Sequence, residues 1–228
     1  MKTTYLKNQK SIVENDNMNE NPKKEAFSYS IYNKDNFKEF CELKEDGTVK
    51  MISHNDLPPE FNEELCNFIN LFRRKTVNEK AEWEFYIDYG NNKIIHCLHG
   101  ESTNVKGWIH SALMKNKKIL TIHNHIKGTY SAPSWKNFEI LEHEFEDYEI
   151  ICAEKEFWIL EAKGEYDKKY VERFKTKIEA IFQDTKSKSL EKDFLFENYN
   201  PNEDYSNRIQ ELINKQKNNI KLSKKEYI

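Results

Sequence analysis

Glycine and proline are scarce, at 6 and 5 of 228 residues, and a collagen-like repeat is excluded. Cysteine is as thin. Cys41, Cys66, Cys97 and Cys152 stand far apart and form no CxxC pair, so they suggest no thiolate zinc site. Each has at least one apolar neighbour, as in Ile151-Cys152-Ala153, which reads as a small buried hydrophobe in a reducing compartment. No apolar run approaches the roughly 18–20 residues of a membrane span. The opening residues, Met1 to Tyr5, lack the apolar stretch of a secretory signal, and the expected location is the cytoplasm. Charge of one sign is missing too. The 36 Lys and Arg against 39 Asp and Glu leave a net −3, which argues against a broadly basic nucleic-acid binder.

What the chain does have is charge of both signs, 33% of residues, and aromatics, 13%. Its 14 Phe, 12 Tyr and 4 Trp carry large buriable areas that a disordered chain lacks, so a folded core under a heavily solvated exterior is expected.

Residues 1–26 are polar and Asn-rich and read as a flexible lead-in. Residues 27–53 alternate loosely around a turn at Asp46-Gly47, predicting a short hairpin. After Pro58-Pro59, the residues Phe61, Leu65, Phe68, Ile69 and Phe72 form one apolar stripe, predicting a helix that ends in Arg73, Arg74 and Lys75. Trp83, Phe85 and Ile87 alternate with Glu82, Glu84, Tyr86 and Asp88, a strand whose hairpin partner returns over 93–99 after Gly90-Asn91-Asn92. Val105, Trp108, Ile109 and Leu113 suggest a short helix, and 119–122 a buried central strand. A loop then leads to a helix beginning at Ser134, with Phe138, Leu141 and Phe145 facing inward. Strands over 148–153 and 156–162 follow, then a long amphipathic helix carrying Tyr170, Phe174, Ile178 and Ile181. Residues 185–228 read as a polar tail with one helix over 205–222. The order predicts an α+β domain over 27–184, a three-layer α/β/α arrangement with a mixed sheet flanked by helices.

The segment richest in chemistry is Thr121-Ile122-His123-Asn124-His125. Residues two apart on a strand share a face, so His123 and His125 can present two imidazole nitrogens to one ion such as Zn²⁺. Ser134 and Asn137 follow at the predicted helix start, where free N–H groups and a positive dipole would favour an anionic transition state. Helix capping is the plainer role for Ser134. Two histidines at a strand end also occur as a simple hydrogen-bonded cluster. The remaining histidines, His54, His96, His99 and His110, read as surface or hydrogen-bonded groups, and the runs Arg73-Arg74-Lys75 and Lys224-Lys225 as solvated charge. The acidic cluster over 142–147 reads as the wet face of a helix.

The constellation resembles the JAMM (JAB, MPN-type) metalloproteases, whose signature is a remote Glu, His-x-His-Pro, a loop, and Ser-x-x-Asp. Here it reads His123-Asn124-His125-Ile126, a loop, and Ser134-Trp135-Lys136-Asn137, with the likeness spanning residues 59–162. The Asn between the histidines is similar to bacterial, phage and toxin-associated branches and to the RadC-type branch. The resemblance implies a JAMM or cytidine-deaminase-like fold and a zinc cofactor held by His123, His125 and Asn137. It also implies Ser134 on the oxyanion and Glu82, or Glu84 on the same strand face, as general base. The implied reaction is hydrolysis of an amide in a protein or peptide, as a peptidase or isopeptidase. Three departures stand out: Ile126 for Pro, a loop one residue longer, and Asn137 for the ligand Asp. A carboxamide is a neutral and weaker ligand, so zinc would be held less tightly, and neither Glu139 nor His143 is well placed to replace it. Two alternatives stay open: a catalytically inactive JAMM-like binding or scaffold module, and a phage or mobile-element accessory protein carrying this domain.

Overall fold

The computed structural model describes residues 28–29, 34–100, 114–142, 146–162, 166–195, 199–215 and 221–228. The expected lead-in over 1–26 and most of the short helix around Trp108 lie outside the described residues. The fold is mixed α+β. A single sheet holds a two-residue β1 (Ser28–Tyr29) and six longer strands: β2 (Trp83–Asp88), β3 (Lys93–His99), β4 (Ile119–Asn124), β5 (Glu146–Cys152), β6 (Glu156–Glu161) and β7 (Lys221–Glu226). Their spatial order is β1-β3-β2-β4-β5-β6-β7, antiparallel except for β1 with β3 and β4 with β5.

Four α-helices accompany the sheet: α1 (Lys34–Glu42), α2 (Glu63–Thr76), α3 (Lys168–Leu195) and α4 (Pro201–Asn214). The expected stripe of α2 is present, with Leu65, Phe68, Ile69 and Phe72 buried. Asn62, rather than the prolines, starts the helix, its Oδ1 accepting the Leu65 N–H at 2.9 Å. Where a hairpin was expected over 27–53, the chain forms α1. Phe37 and Phe40 lie three apart, and a helix turns both onto the aromatic core of Phe68, Phe72, Trp83 and Phe85.

The two larger cores among the described residues lie on opposite sides of the sheet. One joins α1 and α2 to Phe85, Ile87, Leu120, Ile122, Ile150 and Phe157. The other joins α3 and α4 to Ile151, Trp158 and Leu160. The tail expected over 185–228 is corrected here. Tyr205, Ile209 and Ile213 make a buried stripe on α4, the helix stops at Asn214, and β7 adds an antiparallel strand beside β6 with Leu222 buried. The polar letters of this region mark the outward faces of integral elements.

Two charged segments are also not simple solvated charge. Arg73 is 4% exposed; its guanidinium donates to the carbonyl oxygens of Lys50, Ala153 and Glu154 at 2.9, 2.9 and 3.0 Å and lies 3.2 Å over the Tyr227 ring. Lys224 and Lys225 pair with Glu156 and Asp56. Glu146 and Asp147, expected on a wet helix face, belong to β5, with Glu146 buried and Asp147 accepting from the Tyr89 hydroxyl at 3.0 Å. No described helix is long and apolar enough to cross a membrane.

Candidate active site

β4 builds the site by strand alternation. Leu120 and Ile122 enter the core under α2, while Thr121 and His123 face a cleft on the other side of the sheet. Pairing sets Glu84 of β2 opposite His123, and Glu149 of β5 opposite Thr121. Asn124 alternates back toward α2. Its Oδ1 accepts the buried Trp83 N–H at 2.7 Å, and its Nδ2 reaches toward the carbonyls of Ala81 and Thr76 at 3.4 and 3.5 Å. The residue between the two histidines therefore ties the start of β2 to the end of α2.

His125 lies one residue beyond β4, where its N–H donates to the Cys152 carbonyl at 2.9 Å. Its Nδ1 sits 2.8 Å from the Tyr130 carbonyl and so carries the proton, leaving the Nε2 lone pair available. The loop that supplies Tyr130 is held by α4. Asn202 accepts the Ser131 N–H at 2.9 Å and donates to the Thr129 carbonyl at 3.2 Å, and the Tyr205 hydroxyl donates to the Pro133 carbonyl at 2.9 Å. Burial lowers His125 to about 4 and holds His123 well below the usual imidazole range, so both rings are neutral near neutral pH. Their centroids are 5.1 Å apart.

His123 is engaged at both nitrogens. Nδ1 lies 3.3 Å from Glu149 Oε1, while Nε2 faces the Asn137 Nδ2 at 3.2 Å. Asn137 Nδ2 also donates to Glu149 Oε1 at 3.0 Å. The opposite end of the amide accepts from Ser134 twice, from the N–H at 2.6 Å and from Oγ at 2.9 Å. A backbone N–H can only donate, so the group beside it must be the Asn137 oxygen. That assignment turns the amide hydrogens, not the oxygen, toward His123.

The helix expected from Ser134 is corrected. The described residues form a 3₁₀ helix over Asn137–Glu142, with Phe138 and Leu141 buried three residues apart as that tighter turn requires, and Phe145 outside the described residues. No α-helical N-terminus faces the histidines there. Ser134 keeps a capping role, accepting the Lys136 N–H at 3.3 Å, and its own proton is committed to Asn137.

Glu82 precedes β2 by one residue and lines the same cleft as Glu84, His123, His125, Ser134 and Asn137. The structure thus brings every expected site residue to one cleft, of about 770 Å³. Burial pushes the Glu82 carboxyl up to about 7, with Lys136 opposing the shift. Glu149 carried no role in the sequence reading, yet it is 6% exposed and joins His123 to Asn137. Burial foremost, with nearby Glu146, Glu84 and Glu139, raises its carboxyl well above the usual range, against the Asn137 hydrogen bond. A lone acid inside the apolar run Tyr148-Glu149-Ile150-Ile151 was the signal available for it.

The donor set can be tested against zinc. An ion between the two rings would meet the Asn137 NH₂, which already faces the His123 Nε2 lone pair, so Asn137 as oriented does not offer its oxygen as a ligand. Among the described residues no group of three or more His, Cys, Asp or Glu is placed to hold a metal ion. As arranged, Asn137 is not turned to serve as the third ligand expected of it. Comparison with protein-family models, curated proteins and solved structures yields no match.

Proposed function

We propose that this chain is a JAMM-like three-layer domain acting as a binding module, its cleft recognising a segment of a protein or peptide partner without zinc-dependent hydrolysis. The observation that carries the reading is the orientation of Asn137. Its oxygen is bound to Ser134 and its nitrogen occupies the lone pair of His123 that an ion would need. A carboxylate in that position could accept from Ser134 with one oxygen and offer the other; an amide has one acceptor to give. The order of α2, β2, β3, β4 and β5 around the His-x-His strand supports the JAMM-like layout. The buried free thiols Cys66, Cys97 and Cys152 suit a reducing compartment such as the cytoplasm.

Zinc-dependent hydrolysis of an amide is the second reading. It is favoured by Glu82, whose raised carboxyl suits a general base, and by the His125 Nε2 lone pair beside it in the cleft. It requires the Asn137 amide to turn over and leave Ser134.

Metal analysis separates the two. Protein purified without chelator should carry far less than one zinc per chain, and Asn137→Asp should raise the content toward about one, because the second carboxylate oxygen supplies a third ligand. A native chain carrying about one zinc, lost in His123→Ala, would overturn the binding-module reading in favour of the hydrolase.

A further inference from the structure

The cleft floor beside the histidines holds buried polar atoms without partners. Tyr86, Thr121 and Glu149 are paired across β2, β4 and β5 and form a row on the cleft side of the sheet. Thr121 is 2% exposed and its Oγ1 has no hydrogen-bond partner; Glu149, at 6%, leaves Oε2 without one. Unpaired polar atoms this deeply buried are rare in folded chains, and two adjacent ones lining a cleft mark a place where a polar partner is missing. Glu84, Glu139 and Glu146 line the cleft with Lys136, and Lys175 stands 3.8 Å from Glu139; Glu82 and Glu149, both raised by burial, add charge when a cation arrives.

We propose that this floor binds an N–H-bearing organic cation, the ammonium or guanidinium end of a lysine or arginine side chain on a peptide partner. Such a group has several donors and no acceptor, so it can serve Thr121 Oγ1 and Glu149 Oε2 together while its charge meets Glu84 and Glu146. Both floor atoms are buried, so a cation that reaches them has to draw the Glu149 carboxyl from its Asn137 contact. Tyr130 and Trp135 on the cleft wall offer apolar surface for the methylene stem. A bare metal ion suits the floor less, since the described residues place no group of acids and histidines to hold one.

The inference rests on the binding-module reading of the same cleft, and its test has a separate readout. The full chain is titrated at low salt with N-acetyl-lysine N-methylamide, its arginine counterpart and the uncharged norleucine counterpart, followed by amide NMR shifts. At least one basic amide should bind saturably and at least tenfold more tightly than norleucine. Thr121→Val and Glu149→Gln should each weaken it fivefold or more, and Glu84→Gln serves as a further variant if either floor variant does not fold. Equal binding of norleucine, no saturable binding of either basic amide, or undiminished binding in the folded variants would overturn the proposal. If the basic amides fail while zinc analysis stands as expected, only the ligand chemistry falls. If zinc analysis instead reveals a loaded site, selectivity over norleucine still decides the cation.

Discussion

Asn124 lies between the two histidines, yet its work is done on the opposite face of β4. Replacing it with Ala removes the acceptor for the Trp83 N–H, a 2.7 Å bond beneath a side chain that is 0% exposed. Water cannot substitute there. An unsatisfied buried donor costs about 1–3 kcal/mol, and the two longer contacts to Ala81 and Thr76 add at most about 0.5 kcal/mol each. Asn124→Ala should therefore destabilise the fold by about 2–3 kcal/mol. With a urea m-value on the order of 2–3 kcal/mol/M, the midpoint should fall by roughly 1 M. Hydrogen exchange at the Trp83 amide should accelerate in the same variant. Asn124→Asp keeps the acceptor and should preserve Trp83 protection, at the cost of a buried carboxyl. Equilibrium urea unfolding followed by Trp fluorescence reads the first result, and NMR exchange the second. A change below about 0.5 kcal/mol, with unaltered exchange at Trp83, would refute the reasoning.

Glu82 gives a pH-dependent expectation. Its folded carboxyl, raised from 4.5 to about 7, still holds a proton where the unfolded chain has lost its own. The associated cost is absent below about pH 4.5, grows up to about pH 7, and is complete above it. Glu82→Gln should be more stable than the native chain by about 2 kcal/mol at about pH 8 and no different at about pH 4, as urea unfolding at the two values would show. Arg73→Met removes three charge-assisted bonds to buried or half-buried carbonyls and should cost about 3 kcal/mol, with loss of the Tyr227 contact visible in that ring's NMR shifts.

The legible parts of the fold share one property: their periodicity answers to a single buried face. The stripe of α2, the alternation of Trp83, Phe85 and Ile87, and the apolar β4 are local patterns, and each element lies where its pattern predicts. The convergence of His123 and His125 on one cleft was legible from strand alternation too, although His125 lies one residue past the end of β4. α1 was missed because two phenylalanines three apart, among polar residues, fit loose alternation as well as a helix until the aromatic core selects the helix. β7 was missed, and the helix expected over 205–222 was read as tail rather than as the buried α4, because a half-buried element among Lys, Asn and Glu has the composition of a solvated tail.

By itself, then, the chain's order of residues determined the strand that leads into the two imidazoles and the helix and hairpin before it, while the grouping of Glu82 with Ser134 and Asn137 came from the family resemblance. Only tertiary structure decided what those groups do to one another. Glu149 arrives from β5 to accept from Asn137 beside His123, and Ser134 fixes which end of the amide points inward. The physical reason is that a hydrogen bond depends on which atom is a donor and where it points. Spacing along a chain specifies faces, whereas the direction of an amide is settled by partners brought from distant strands and loops.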